Sequence, residues 1–374
     1  MRILLLAGEE SGVLYANQIR AEILRRWPEA EIRGYGDYGF RVDDLAVIGI
    51  GQVLKKKIFY FLRVKQTMER AIGEWKPDVV CTVDYPGMNL KLAAYAKARG
   101  IRAVHVVCPQ VWAWKQGRIP KIEVALDRLC CFFPFEPGLF RPGFATFVGH
   151  PLVDEMAREK SNTEARRHGD AGEKVLAILP GSRMGEIEKH LPILLAVVNE
   201  LQKSLCLCAS VFKIIVPAAN EKAYRAIVSC ASRLKSSSCV LEVRRGGARE
   251  VLRWADAAVV ASGTATLEAA LAGCPTVLVY RVGWFFAAFA RIVIKGVKHI
   301  GLANIIAEKA GVACPMPELL QENFTAENVL ACLRPWLKDD AANAAARQSL
   351  AETMKLLRSD GGAIVRIVDQ LNLA

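Results

Sequence analysis

Short hydrophobic runs alternate along this chain with longer segments whose apolar positions recur at helical spacing. In the first half the runs predict strands at Ile3–Ala7, Glu31–Tyr35, Leu45–Ile50, Val79–Val83, Ala103–Val107, Leu129–Phe133 and Thr146–Val148. Helices are predicted at Leu14–Trp27, Gln52–Trp75 and Leu90–Arg99. The second half repeats the rhythm, with strands at Val175–Leu179, Phe212–Val216, Val240–Val243, Ala257–Ala261 and Thr276–Tyr280. Its helices are predicted at Glu186–Leu201, Glu221–Leu234, Ala248–Trp254 and Thr264–Ala272. Apolar strands alternating with amphipathic helices predict an α/β chain with doubly wound parallel sheets. The polar stretch Arg158–Lys174 separates the halves and reads as a linker. The expectation is two domains, residues 1–157 and 174–345, facing each other across a cleft. A C-terminal helix at 361–374 is expected to pack back on the first. Ligands of such sheets sit beyond the carboxyl ends of the strands.

Two strand-to-helix turns in the second half carry phosphate chemistry. Ala261-Ser262-Gly263-Thr264-Ala265-Thr266-Leu267-Glu268 joins a buried strand to a helix through small residues. Free backbone N–H groups and the positive helix end make such a turn a phosphate seat. Glu268 lies four residues after Thr264, on the same helix face, where a carboxylate can accept hydrogen bonds from a ribose. Leu179-Pro180-Gly181-Ser182-Arg183-Met184-Gly185-Glu186 has the same form. Ser182 is placed to cap its helix, and Arg183 offers a planar cation to phosphate oxygens. Each turn read alone is also consistent with an ordinary capped helix. Neither a Gly-x-Gly-x-x-Gly fingerprint nor a P-loop is present, and no Asp-x-Asp follows a strand where a metal–diphosphate bridge belongs.

In the first half, Asp84 ends an apolar strand, where a carboxylate can act as a general base toward an acceptor hydroxyl. The alternative is a turn-capping Asp84. Asn89 opens the next helix and is equally a capping residue. His105 falls on a buried strand and reads as structural, whereas His150, in Gly149-His150-Pro151, ends the last strand of its domain and is a candidate substrate contact. The loop Trp112-Ala113-Trp114-Lys115-Gln116-Gly117-Arg118 mixes aromatics with cations and is a candidate acceptor wall, or simply packs on the domain.

Composition narrows the partners. The 374 residues are 52% hydrophobic and 24% charged, with a net charge of +12, which suits phosphorylated ligands or anionic surfaces. Positive charge is concentrated beside bulky apolar side chains in Lys55-Lys56-Lys57-Ile58-Phe59-Tyr60-Phe61-Leu62-Arg63-Val64-Lys65, and again in Trp284–Lys295. That pairing suits an anionic membrane surface better than nucleic acid. Both segments also read as core helices with lysines at the rim. The start of the chain has too short an apolar stretch for a signal peptide, and no run is long enough to cross a membrane. Eleven cysteines, mostly inside apolar runs, argue for a reducing cytoplasm. Cys206-Leu207-Cys208 lacks metal-site spacing.

Taken together, the segments resemble the lipid-A-disaccharide synthase family, inverting UDP-sugar glycosyltransferases of the two-Rossmann-domain GT-B type. The resemblance runs through Ala7–Gly12, Leu45–Ile50, Asp84–Asn89, Pro109–Arg118, Phe147–Pro151, Leu179–Glu186, Ala261–Glu268, Cys274-Pro275, Tyr280-Arg281, Leu302–Asn304 and Pro317–Gln321. It implies transfer of 2,3-diacylglucosamine from UDP-2,3-diacylglucosamine to 2,3-diacylglucosamine 1-phosphate. The product is a β-1,6 disaccharide, UDP is released, and no cofactor or metal takes part. By the same resemblance Asp84 is the catalytic base. Ser182, Arg183, Ser262, Gly263 and Thr264 hold the diphosphate, Glu268 the ribose, and Asn304 and Gln321 complete the nucleotide side. Ser11, Asn89, Trp112, Trp114 and His150 fall on the acceptor side. Lys55, Lys56, Lys57, Phe59, Phe61 and Arg63 fall on a membrane contact. The protein is then expected in the cytoplasm, peripheral to the inner face of the inner membrane, with a homodimer left open. The chain departs from the family pattern at Val13, where Asp is usual, at Met88 (Phe) and at Ala303 (Pro). None of these removes Asp84, Arg183 or Glu268. Two rivals share the architecture: a UDP-N-acetylglucosamine 2-epimerase-like enzyme, and a non-catalytic membrane-associated sugar-nucleotide binder.

Overall fold

Two sheets of six parallel strands each form the frame of the computed structural model, which describes residues 1–45, 56–163, 174–205, 212–231, 240–283 and 297–373. The chain divides into two compact units, Met1–Asp154 with Leu357–Ala374, and Glu155–Leu356.

In the first unit the elements run β1 (Arg2–Ala7), α1 (Glu10–Arg26), β2 (Glu31–Arg33), α2 (Val42–Leu45), α3 (Lys56–Trp75) and β3 (Val79–Val83). They continue as α4 (Pro86–Lys97), β4 (Arg102–Val106), α5 (Ile119–Ala125), β5 (Arg128–Cys131) and β6 (Ala145–Phe147). The sheet order is β2-β1-β3-β4-β5-β6, all parallel. Leu4, Leu6, Val80, Val64 and Met68 pack on one face, and Ile3, Val79, Val104 and Ile19 on the other. The C-terminal helix Ala363–Leu371 adds Ile367, Val368 and Leu371 to that second face, and Arg26 of α1 bonds its Asp369 at 2.6 Å.

Helix α6 (Pro151–Thr163) leads to the second unit: β7 (Lys174–Leu179), α7 (Met184–Leu205), β8 (Phe212–Ala218), α8 (Glu221–Ala231), β9 (Val240–Arg245) and α9 (Ala248–Trp254). Then come β10 (Ala257–Ala261), α10 (Thr264–Ala272), β11 (Thr276–Tyr280), α11 (Leu302–Ala310) and β12 (Glu318–Leu320). Two further helices, Ala326–Lys338 and Asp340–Lys355, complete it. Its sheet order is β12-β11-β10-β7-β8-β9.

The strand pattern is closely followed, with instructive exceptions. Leu45 closes the short helix α2 instead of opening a strand, and residues 46–50 lie outside the described residues. So do Cys206, Cys208, Cys239 and the Trp284–Lys295 segment. The first part of the expected linker is helical: α6 runs through Arg158 to Thr163. Its Glu155 and Glu159 hold Arg249 at 2.6 and 3.5 Å, so the acids that look solvated in sequence are ion-paired.

His105 is fully buried on β4, as the pattern predicts. Its Nδ1 meets the Thr82 hydroxyl at 2.7 Å, and its Nε2 has no hydrogen-bond partner among the described residues. Protonation would place an unpaired charge in the core, and burial pushes its pKa down to about 3. The folded state therefore binds fewer protons than the unfolded chain, where histidine titrates near 6.5. This contribution to stability is complete above that value and is lost as pH falls toward the folded pKa. Denaturant titrations between about pH 7 and pH 5 are expected to show stability falling with acid, and His105→Gln to remove up to about 1.4 kcal/mol per pH unit of that slope. An unchanged slope would show that the ring titrates normally in the folded protein.

Candidate active site

Strand pairing brings the ends of β1 and β3 together, with Ala7 opposite Val83. Here the strand order reverses, β2 lying on one side of β1 and β3 on the other. Neighbouring connections leave for opposite faces at such a point and open a crevice beyond the carboxyl edge. Asp84 stands in it. Its N–H donates to the Val106 carbonyl at 2.9 Å, and its Oδ1 accepts the Tyr85 N–H at 2.8 Å. Asp84 and Tyr85 both have φ of 51°, a left-handed pair costing about 1–2 kcal/mol per residue. Val107 (76°) and Lys115 (57°) also have positive φ, so four of the seven such non-glycine positions among the described residues belong to this one site.

Helix α1 approaches closely because residue 12 is glycine. A Cβ there would lie 3.3 Å from the Val83 carbonyl and 3.5 Å from the Asp84 Cβ. Ser11, exposed at the start of α1, is brought to the same end of the sheet. Glu9 is one residue that the sequence did not mark. It follows β1 as Asp84 follows β3, and partial burial together with the Asp84 charge raises its pKa. Burial also raises Asp84, against the lowering effect of its Tyr85 N–H bond.

Asn89 corrects the acceptor-side expectation. It is fully buried; its amide donates to the carbonyls of Val83 and Asp84 at 3.1 and 2.7 Å, and its Oδ1 accepts the Tyr35 hydroxyl at 2.7 Å. With these atoms engaged it fixes the backbone on which Asp84 sits and has nothing to offer a substrate.

Beside Asp84 lies a cavity of about 240 Å³, lined also by Cys108, Gln110, Trp114, Arg118 and Phe133. Arg118 forms no ion pair among the described residues. Trp114 is exposed and reaches this cavity, whereas Trp112 is buried and its Nε1–H donates to Glu136 at 3.0 Å. Trp112 thus anchors the loop that Trp114 and Arg118 line. Burial pushes Glu136 up to about 8, and its Oε2 accepts the Phe133 N–H at 3.1 Å. An acid set in the aromatic run Phe132-Phe133-Pro134-Phe135 was the sequence signal for it. His150 is buried against Tyr15, Phe132 and Phe133, and its Nδ1 accepts the Leu152 N–H at 3.2 Å at the start of α6. It does not line the cavity.

The second unit repeats the logic. Its order, β9-β8-β7-β10-β11-β12 read from the other edge, reverses between β7 and β10. Val260 pairs with Leu179, so the two predicted phosphate turns are neighbours at the same edge. Gly181 turns at φ 118°, where a Cβ would strike Glu186 Oε2 at 2.7 Å. Arg183 leaves 83% of its side chain exposed, and among the described residues its ion pair is with Glu186, at 3.3 Å. Gly263 and Thr264 are exposed at the start of α10, and Ser262 is half-buried. Glu268 is held by Arg249 Nε at 2.8 Å through Oε1. β12 pairs with β11 through Tyr280 and Leu320, bringing Gln321, itself at φ 51°, to this edge.

Asn304 departs from expectation. It is buried; its amide donates to the Met316 carbonyl at 2.7 Å and to Glu318 at 2.8 Å, and its Oδ1 accepts the Met316 N–H at 3.0 Å. It ties α11 to the segment that enters β12, and thereby positions Gln321. His190, unremarked in the sequence, does similar work. Its Nδ1–H donates to the Pro180 carbonyl at 2.8 Å and its Nε2 accepts the Arg281 N–H at 2.9 Å. One buried ring thus joins the turn after β7 to the end of β11; its spacing of seven residues from Arg183, two helical turns, was the available signal.

The family model described as lipid-A-disaccharide synthetase matches residues 3–361. The chain is 34% identical over 374 residues to a lipid-A-disaccharide synthase of Syntrophus aciditrophicus, covering 96% of this chain and 94% of that one. It is 35% identical over 366 residues to that of Neisseria meningitidis serogroup A, with coverages of 94% and 93%. Among solved structures, Acinetobacter baumannii MurG aligns at a TM-score of 0.58 with 16% identity, covering 100% of this chain and 99% of its own. The UDP-GlcNAc 2-epimerase of N. meningitidis bound to UDP-GlcNAc aligns at 0.61 with 11% identity and full coverage of both chains. At such identities the structural neighbours speak for the GT-B fold alone. The sequence relatives go further: this chain belongs to the lipid-A-disaccharide synthetase family.

Proposed function

We propose that the chain transfers 2,3-diacylglucosamine from UDP-2,3-diacylglucosamine to the 6-hydroxyl of 2,3-diacylglucosamine 1-phosphate, with inversion and release of UDP. Family membership makes it a glycosyltransferase using a UDP-sugar. The observation that carries the reading is Asp84 at the reversal point of the first sheet, sharing its cavity with Arg118, which forms no ion pair among the described residues. A base partly withdrawn from water holds its proton affinity high enough to take a hydroxyl proton, and a nearby cation suits an acceptor bearing a phosphate.

On the donor side, the hydroxyls and N–H groups of Ser182, Ser262, Gly263 and Thr264, with Arg183, match a leaving diphosphate. Glu268, oriented by Arg249, matches the ribose, and Gln321 the uridine edge. The charge released with UDP falls on Arg183 and two helix ends, so the chemistry is assigned no metal and no cofactor. The epimerase reading is not favoured, because it leaves an acceptor cavity with a cation at its wall unexplained.

Membrane association is part of the same reading. No helix among the described residues is long and apolar enough to cross a membrane. On α3, Phe59 is 76% exposed and Leu62 47%, beside exposed Arg63. Phe61 instead packs against Tyr60 and the sheet, which corrects its place among the membrane contacts. Lys55 lies outside the described residues, as do the side chains of Lys56 and Lys57. We assign the exposed Phe59–Leu62–Arg63 face to the cytoplasmic surface of the inner membrane, from which acylated substrates are drawn.

A product assay with both acylated substrates tests the activity. The wild type is expected to form the disaccharide, and Asp84→Asn to lose about 10²–10⁴-fold in turnover with UDP affinity unchanged. Retained turnover would remove Asp84 from the base role. In vesicle sedimentation, Phe59→Ser/Leu62→Ser is expected to bind anionic vesicles at least about tenfold more weakly. Equal binding would show that this face does not meet lipid.

A further inference from the structure

Cys108, which lines the Asp84 cavity, belongs to a buried cluster that the transfer reaction does not use. Cys108 follows β4, Cys131 ends β5, and Glu136 lies in the next turn. Pairing of Val106 with Cys130 sets the two strand ends side by side. Alternation along β5 turns Cys130 to one face of the sheet and Cys131 to the other, where Cys108 also packs. The two sulfurs and a carboxylate oxygen of Glu136 all lie within 4.8 Å of one another, and all three residues are buried.

The Cys108 thiol donates to the Pro109 carbonyl at 3.3 Å, with Cys131 and Glu136 packed beside its sulfur. Glu136 is fixed by the Trp112 Nε1–H and the Phe133 N–H, which orient its carboxylate toward the sulfurs. Two thiolates and one carboxylate, the carboxylate oriented by its outer hydrogen bonds, form a donor set for a soft or borderline divalent cation. Zinc with three protein ligands keeps a fourth position open, and Cys108 faces the cavity from which ion and water would enter. Ligand distances of about 2.0–2.3 Å require the three donor atoms to close by about 1 Å.

We propose that Cys108, Cys131 and Glu136 form a binding site for a soft divalent cation, zinc or cadmium, reached from the Asp84 cavity. Binding displaces the two thiol protons and the proton carried by Glu136, all of which leave to solvent, and no electron transfer is involved. The bound ion ties β4 to β5 and fixes the loop that carries Trp112 and Arg118. It therefore acts on the acceptor side of the protein while taking no part in the chemistry. The proposal rests on the donor geometry and does not depend on which acceptor the cavity takes.

Cadmium titration of the reduced, full-length protein tests it, read by thiolate-to-cadmium charge-transfer absorption and by equilibrium dialysis. The wild type is expected to bind one tight equivalent more than Cys108→Ser or Cys131→Ser, and Glu136→Gln to weaken that equivalent at least about tenfold. A second measurement on unaltered protein guards against variants that fail to fold. Cadmium is expected to slow alkylation of Cys108 and Cys131, read peptide by peptide against Cys81 and Cys130, which are equally buried and outside the cluster. Identical stoichiometry in folded variants, or alkylation of Cys108 and Cys131 unaffected by cadmium, would overturn the site and leave the cluster a hydrogen-bonded packing element.

Discussion

Parallel strand pairing is the constraint on which everything else in this protein rests. Because every strand runs the same way, every strand-to-helix turn emerges at one edge of its sheet. Where the strand order reverses, the two flanking connections go to opposite faces and leave a crevice. Each sheet has one reversal, between β1 and β3 and between β7 and β10. The groups that carry the proposed chemistry stand at those two places. Asp84 and Glu9 stand at the first; Ser182, Arg183 and the Ser262–Thr264 turn stand at the second.

Holding such groups in place requires local backbone geometry that the chain would otherwise avoid. Left-handed φ values at Asp84, Tyr85, Val107 and Lys115 are offset by bonds made by buried partners, each worth about 1 kcal/mol net. Asn89 grips the Val83 and Asp84 carbonyls, on either side of the Asp84 Cα, and Glu136 grips Trp112. In the second unit His190 and Asn304 do the same for Pro180, Arg281 and Met316. The exposed groups, Arg183 above all, are left free to meet a ligand because the buried ones hold the frame.

That division explains what could be read from the chain alone. Ser182, Arg183, Thr264 and Glu268 were legible because a strand, a small-residue turn and a helix start are contiguous in sequence. Asp84 was legible for the same reason. Glu9, Glu136 and His190 were not, since each acquires its meaning from a partner on another element. Asn89 and Asn304 carry the polar character of ligand contacts, yet the fold buries both and engages them with backbone carbonyls. The strand β12, three residues long and opening on Glu318, has too little apolar pattern to announce itself, and the start of the polar linker continues α6, where Glu159 pairs with Arg249.

The central claim is that the reversal point of the second sheet is the UDP seat. Amide hydrogen exchange with and without UDP tests it most directly. The account predicts slowed exchange at residues 181–186 and 262–268, at the carboxyl ends of β7 and β10, with no change at 255–257 and 273–276 on the opposite edge. Protection at the opposite edge, or none at the two turns under saturating UDP, would contradict it.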